Sequence, residues 1–158
     1  MNKQAHKHSL GLAGEFLVAG ELQRRGIIAS VTYGTAKKAD VIALSPSLSS
    51  AVVMEVKSTS NPKWVLGNSL PDKSEKLWVL VHLPKLQTES PRYFIITSRE
   101  LNHKLAPIDA KYRSDFLKKH KVKFQGKGVF SFKLEQAEEF EGKWEKILKH
   151  PAIRCGRK

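Results

Sequence analysis

Apolar residues along the chain fall into short runs bounded by polar or turn-forming residues, and this pattern predicts a sheet. The expected strands cover 27–33, 39–45, 51–58, 76–83, 92–97 and 128–133. Helical spacing predicts helices over 5–25, over 99–105 after a Ser98 cap, and from Pro107 to about 119. A last helix is predicted from an apolar stripe expected to pack in the core, namely Ala137, Phe140, Trp144, Ile147 and Leu148. The pattern indicates one α/β domain around a central mixed sheet.

The apolar run 51–57 carries two charged residues inside an expected buried strand. Successive side chains of a strand point to opposite faces, so Glu55 and Lys57 share one face while Val52, Met54 and Val56 line the other. Burying a carboxylate and an ammonium costs free energy unless they are paired or bind a metal. The placement therefore indicates chemistry at the end of this strand.

A second acid, Asp40, opens the preceding apolar run 40–44, and the Ser- and Pro-rich segment 45–50 between the two runs is typical of a turn. Antiparallel pairing across that turn would bring Asp40, near the start of one strand, beside Glu55, near the end of the next. We therefore expect Asp40, Glu55 and Lys57 to meet.

Glu15 interrupts an otherwise apolar helical column that also contains Leu12, Ala19 and Leu22. Glu21, by contrast, falls beside Gln23 and two arginines and is typical of an ordinary solvated charge. Glu15 is thus the helical glutamate expected to face the sheet.

Together these residues resemble the PD-(D/E)XK nuclease superfamily, which has a restriction-endonuclease-like three-layer fold with a central mixed sheet flanked by helices. Glu15, Asp40, Glu55 and Lys57 stand at its four motif positions. Ala39, rather than proline, precedes Asp40.

Within the superfamily, the Gly14-Glu15 helix, the small size and the basic charge resemble Holliday-junction resolvases and small stand-alone endonucleases, including restriction and intron-associated types. The resemblance covers roughly the first 60 residues well, and the later strands 78–82 and 91–97 are similar to those of small uncharacterised members.

The resemblance implies a metal-dependent DNA endonuclease that uses Mg²⁺ or Mn²⁺. Hard divalent cations prefer oxygen ligands, commonly one or two carboxylates with water and phosphate. Asp40, Glu55 and the carbonyl of Val56 would hold the cation, Lys57 would orient water or neutralise charge on the phosphate, and Glu15 would act through a second metal or a bridging water. Two alternatives stay open: a nucleic-acid-binding protein whose carboxylates form a structural ion-pair network, and an RNA-directed nuclease.

Composition agrees with a polyanionic partner. The 158 residues include 28 Lys or Arg against 15 Asp or Glu, a formal charge of +13, and 41% are hydrophobic, as in an ordinary globular protein. Anionic membrane surfaces fit less well, because no segment is long and apolar enough to span and no basic amphipathic helix dominates.

Basic charge is concentrated in segment 99–127, which contains nine Lys or Arg against three acids and is expected to contact phosphates. The candidate contacts there are Lys118, Lys119 and Lys121. Lys37 and Lys38, just before Asp40, are further candidates for backbone contacts.

The single Cys155 excludes an intrachain disulfide and suits the reducing cytosol, and no signal peptide is evident, so a cytoplasmic location is expected. Symmetric cleavage of two strands would favour a homodimer. Segment 58–75 is too irregular to assign; Trp64 within it is expected either to stack on an unpaired base or to cover the domain's own sheet. His6 and His8, at the start of the first helix, are expected to be solvated or near phosphate rather than metal ligands.

Overall fold

The computed structural model describes residues 2–32, 39–86, 88–126 and 128–154. Its strands are β1 (Ile28–Val31), β2 (Val41–Leu44), β3 (Ala51–Thr59), β4 (Lys63–Gly67), β5 (Leu77–His82), β6 (Arg92–Thr97) and β7 (Phe130–Lys133). Five of them form a sheet in the order β1-β2-β3-β5-β6, in which only the β3–β5 pair is parallel; β4 and β7 form a second, two-stranded antiparallel sheet. The predicted mixed sheet is confirmed, and each predicted strand is present within two residues of its expected bounds.

Two of the described helices are long, and the others are short helical turns in the C-terminal part of the chain. They are α1 (Lys3–Arg24), α2 (Ser98–His120), α3 (Leu134–Ala137), a 3₁₀ turn (Glu138–Phe140), α4 (Glu145–Leu148) and α5 (Pro151–Arg154). Asn2 caps α1, because its side-chain oxygen accepts hydrogen bonds from the Gln4 and Ala5 amides. None of the described helices combines the length and the apolar character that a membrane crossing needs.

The five-stranded sheet is covered on both faces. On one face, α1 packs Val18 and Leu22 against Met54 and Val56 of β3. On the other face, β4 and the first half of α2 contribute to a second apolar cluster that includes Trp64, Trp78, Leu80, Phe94 and Leu101. Glu55 and Lys57 alternate with the residues under α1, so they lie on the second face, as the period-two pattern predicted.

The prediction of two separate helices after β6 is wrong, because α2 continues through Pro107 as one helix. Thr97 rather than Ser98 is the N-cap, in a capping box with Glu100. Leu101 and Leu105 anchor the first half in the core. Pro107 is exposed, so water can satisfy the carbonyl that its missing N–H leaves free.

The prediction of a single C-terminal helix is also wrong, although the apolar residues of its predicted stripe do pack in the core. The segment breaks into short helical turns, and Gly142 adopts a positive φ of 65° between the 3₁₀ turn and α4. Ala137, Phe140, Trp144 and Ile147 are nevertheless buried, and Leu148 packs partly buried against the core. Tertiary packing reproduces the apolar stripe without a continuous helix.

Segment 58–75, which the pattern left unassigned, contains β4. Its pairing with β7, about seventy residues later in the chain, explains why local sequence did not indicate a strand. Trp64 is 1% exposed, lies edge-on to Phe94, and donates its indole N–H to the Val81 carbonyl at 3.0 Å. It therefore covers the sheet, and the base-stacking alternative is wrong.

Candidate active site

The β2–β3 pairing brings Asp40 to β3, as predicted. Val41 stands opposite Met54, and the Asp40 N–H donates to the Met54 carbonyl at 2.9 Å, which places Asp40 directly across from Glu55. The side chain turns to the strand, where Asp40 Oδ2 accepts from the Val56 N–H at 2.7 Å. One carboxylate oxygen of Asp40 thus fixes the side chain, and no hydrogen bond from the described residues engages the other.

Close packing of α1 on β3 positions Glu15. A Cβ on Gly14 would overlap the Ser58 hydroxyl and lie 3.0 Å from the Ser58 Cβ, so glycine allows this close approach of helix to strand without a shift of Ser58. The next residue, Glu15, is then carried to the level of Lys57 and Ser58. The sequence predicted an inward glutamate, but the reason for the preceding glycine becomes visible only in the packing.

Glu15, Asp40, Val56 and Lys57 line one pocket of about 820 Å³, formed by the first turns of α1, the end of β3 and the start of β4. Further basic side chains line the same pocket: His6, Lys7, His8 and Lys63. Two carboxylates thus lie in a cavity surrounded by groups that attract anions.

The two pocket carboxylates influence one another. Burial raises the pKa of Glu15, and the negative charge of Asp40 raises it further, while Lys57 and His8 act in the opposite direction. A cation between Glu15 and Asp40 would relieve this repulsion. The electrostatics therefore fit a positively charged ligand in the pocket.

Glu55 occupies a different environment from the other predicted acids. Its Oε1 lies 3.1 Å from Lys57 Nζ and its Oε2 lies 2.5 Å from Lys76 Nζ. Burial alone would raise the pKa of Glu55, but the hydrogen bond from Lys76 and the charge of Lys57 outweigh burial and hold the pKa below its usual value. Glu55 is not among the described residues that line the pocket. Lys57 lines the pocket and also pairs with Glu55, so it connects Glu55 to the pocket residues.

The donor set suits a hard divalent cation. Asp40 and Glu15 supply carboxylates to the pocket, and Val56 lines it beside them; this matches the preference of Mg²⁺ for one or two carboxylates and several waters. Over the ranges that the structure covers, no three Asp, Glu, His or Cys side chains converge as a ready-made metal group. The residues present therefore fit a cation that is completed by water and substrate.

Lys76 and Ser58 were not predicted as part of the site, and His8 was expected only to be solvated or near phosphate. Lys76 reaches Glu55 because β5 pairs in parallel with β3, a register that the sequence does not reveal. Ser58 has a buried hydroxyl for which the described residues supply no hydrogen-bond partner. His8 lies two helical turns before Glu15, a spacing that could have indicated their common face.

The predicted phosphate-contacting lysines lie at the far end of α2. After Leu105 no described residue of α2 is buried, so the helix extends outward from the core. Lys118, Lys119 and Lys121 are all exposed, and Lys121 ends the helix in a left-handed conformation. Phe124 folds back against Tyr112 and Phe116, with ring centroids 5.3 and 5.1 Å apart. We call residues 106–126 the α2 arm.

Lys37, Lys38 and Cys155 lie outside the described residues. No protein-family model matches the chain, and a search of curated proteins finds no match either.

Proposed function

We propose that this chain is a divalent-metal-dependent DNA endonuclease with a restriction-endonuclease-like fold. The observation that carries the proposal is that Glu15, Asp40, Val56 and Lys57 line the same pocket. Glu15 lies on α1, Asp40 directly precedes β2, and Val56 and Lys57 lie near the end of β3; the sequence pattern predicts each of them as a site residue. Metal-assisted phosphodiester hydrolysis uses hard oxygen donors to hold the metal and a cationic side chain beside the anionic substrate.

The proposed metal ligands are Asp40, Glu55 and the Val56 carbonyl, and Glu15, which lines the same pocket as Asp40, is proposed to act through a second metal or a bridging water. Mg²⁺ or Mn²⁺ bound there would polarise the scissile phosphate and lower the pKa of a bound water. Asp40 is held by the Val56 N–H, so its position does not depend on the cation. A fixed ligand lowers the cost of organising the site when substrate enters.

Lys57 is proposed to act on the phosphate. Its side chain is 35% exposed, and it lies at the junction between the pocket and Glu55. From there an ammonium can orient the attacking water or neutralise charge that develops on the phosphate oxygens. The ion pair with Glu55 Oε1, at 3.1 Å, directs this ammonium.

DNA is proposed to contact two basic surfaces, the pocket rim and the α2 arm. The arm carries six Lys or Arg against two acids, Asp109 and Asp115, and Asp109 is already paired with Arg113 at 2.8 Å. Lysines on an exposed helix end bind phosphate without reading sequence, which suits a nuclease whose specificity lies elsewhere. RNA offers the same phosphates, so an RNA-directed nuclease is tested in parallel.

A second candidate is a nucleic-acid-binding protein without catalysis. It is favoured by the pairing of Glu55 with both Lys57 and Lys76, because a half-buried carboxylate between two ammoniums is also what a structural network would contain. In that case the basic surfaces would bind nucleic acid and the carboxylates would only stabilise the fold.

The deciding experiment incubates the purified protein with plasmid, single-stranded and four-way-junction DNA, and with single-stranded RNA, in Mg²⁺ or Mn²⁺. The expected result is metal-dependent cleavage that Glu55→Ala abolishes. Glu21→Ala is the matched control, because Glu21 lies on α1 in a surface pair with Arg24 and Arg25. Binding without cleavage in either metal would support the second candidate.

A further inference from the structure

Lys76 is the second lysine that forms an ion pair with Glu55, and its ammonium lies at least as close to the carboxylate as that of Lys57. The Lys76 ammonium lies 2.5 Å from Glu55 Oε2, while Lys57 takes Oε1 at 3.1 Å. The Glu55 side chain is 16% exposed and the Lys76 side chain 23%. Each carboxylate oxygen therefore has its own ammonium, and because these side chains are partly buried, solvent screens their charges less than at an open surface.

Trp78 holds this arrangement in place. Its ring lies beneath both ammoniums, 5.3 Å from Lys76 Nζ and 5.9 Å from Lys57 Nζ, within the range of a cation–π interaction. The parallel register sets Trp78 beside Glu55, so the indole and the carboxylate face the same two cations. Lys76 is consequently confined by two partners and is not a freely moving surface lysine.

The charge of Lys76 bears on metal binding at Glu55. A divalent cation that approaches Glu55 meets two ammoniums, and the repulsion from each acts over a few ångströms at low screening. Lys57 is needed at the phosphate in the proposed mechanism, whereas no step requires Lys76. Lys76 is therefore the group whose removal from Glu55 would free an oxygen for the cation.

We propose that Lys76 competes with the divalent cation for the Glu55 carboxylate. The cation reaches its full affinity only when the Lys76 ammonium leaves Glu55. The inference rests on the proposed function, since it assumes a cation beside Asp40 and Glu55. A polyanionic substrate supplies the means of release, because its phosphates offer the Lys76 ammonium an alternative partner.

The test is Mn²⁺ affinity, measured by calorimetric titration on the intact chain without nucleic acid. Lys76→Met should bind Mn²⁺ about tenfold more tightly than the wild type, since one positive charge next to the ligand is lost. Lys76→Arg keeps the charge and should retain the wild-type affinity. Lys73→Met is the matched control, because Lys73 is exposed and makes no contact with Glu55 among the described ion pairs.

Lys76→Gln serves as a second neutral variant if Lys76→Met does not fold, because its amide can still hydrogen-bond Glu55. The inference is overturned if neither neutral variant binds Mn²⁺ more tightly than the wild type, or if Lys73→Met gains as much. If the wild type binds Mn²⁺ and cleaves DNA while Lys76→Met shows no gain, only the role of Lys76 fails. If no protein binds Mn²⁺, the metal site and the role of Lys76 fail together.

Discussion

Gly14 of α1 and Ser58 of β3 lie so close together that a single methyl group between them would overlap the serine hydroxyl. This contact fixes how near the helix comes to the sheet, and the neighbouring Glu15 and Lys57 both line the pocket as a result. The geometry of the candidate site is thus tied to the packing of one glycine.

Gly14→Ala should destabilise the protein even though alanine favours helix. The gain in helix propensity is about 1 kcal/mol, while overpacking against β3 costs about 1–3 kcal/mol. Gly20→Ala, on the same helix with open space around it, should instead stabilise by about 0.5–1 kcal/mol. Urea unfolding of both variants measures the difference. Equal stabilisation by the two alanines would mean that α1 does not pack on Ser58 in solution.

Asp40→Ala, Glu55→Ala and Lys57→Ala should each abolish cleavage while DNA binding remains largely intact. Affinity comes from many dispersed phosphate contacts, whereas rate depends on this one site. Asp40→Asn is an informative partner variant, because the amide oxygen can still accept the Val56 N–H and so keep the local structure. Gel-shift and cleavage assays on the same preparations separate binding from rate. Metal-dependent cleavage by purified Glu55→Ala would reject the assignment.

Reversal of charge at Lys118, Lys119 and Lys121 together should weaken binding to all DNA sequences similarly and flatten its salt dependence, with a loss of about one unit of slope per phosphate contact. A matched triple reversal on other elements, at the exposed Lys85, Lys143 and Lys149, should leave the slope nearly unchanged. Titrations at several salt concentrations give both slopes. The α2 arm is not the binding surface if the two triple variants behave alike.

Divalent cations should raise the melting temperature of the wild type, because a cation relieves carboxylate repulsion only in the folded state. At a hundredfold excess over the dissociation constant the stabilisation is about 2.7 kcal/mol. Glu55→Ala should lose this response and keep its fold. A structural network predicts a large loss of stability in Glu55→Ala, about 3–5 kcal/mol for a broken buried pair, and no effect of metal on the wild type. Differential scanning calorimetry with and without Mn²⁺ distinguishes the two.

Glu15 should make the metal-free protein less stable as pH rises. Its pKa is raised in the folded state by burial and by Asp40, so its contribution to stability is complete below the ordinary glutamate pKa and is lost as pH rises through the folded value. Gln at this position does not ionise, so the free energy of unfolding of Glu15→Gln should rise relative to that of the wild type as pH increases over the same interval. Urea unfolding of both proteins across that interval provides the comparison. Parallel stability curves would show that the Glu15 pKa is not raised.

The alternation of charged and apolar residues in 51–57 and the helical column through Glu15 were readable from the sequence, because each depends only on the period of one element. The Asp40–Glu55 pairing was readable as well, since a short turn leaves antiparallel strands only one simple way to pair. These local rules predicted a central mixed sheet and the residues that meet at β3, whereas the expected strand at 128–133 lies in the second sheet as β7.

Tertiary structure alone decided the rest. Lys76 joins Glu55 through a parallel register between strands separated by β4, and β4 itself forms only with β7 near the far end of the chain. The C-terminal stripe was apolar at helical spacing, yet Gly142 interrupts it and contacts with the sheet hold its pieces. Period and propensity act over a few residues, whereas these contacts depend on which distant surfaces the folded chain brings together.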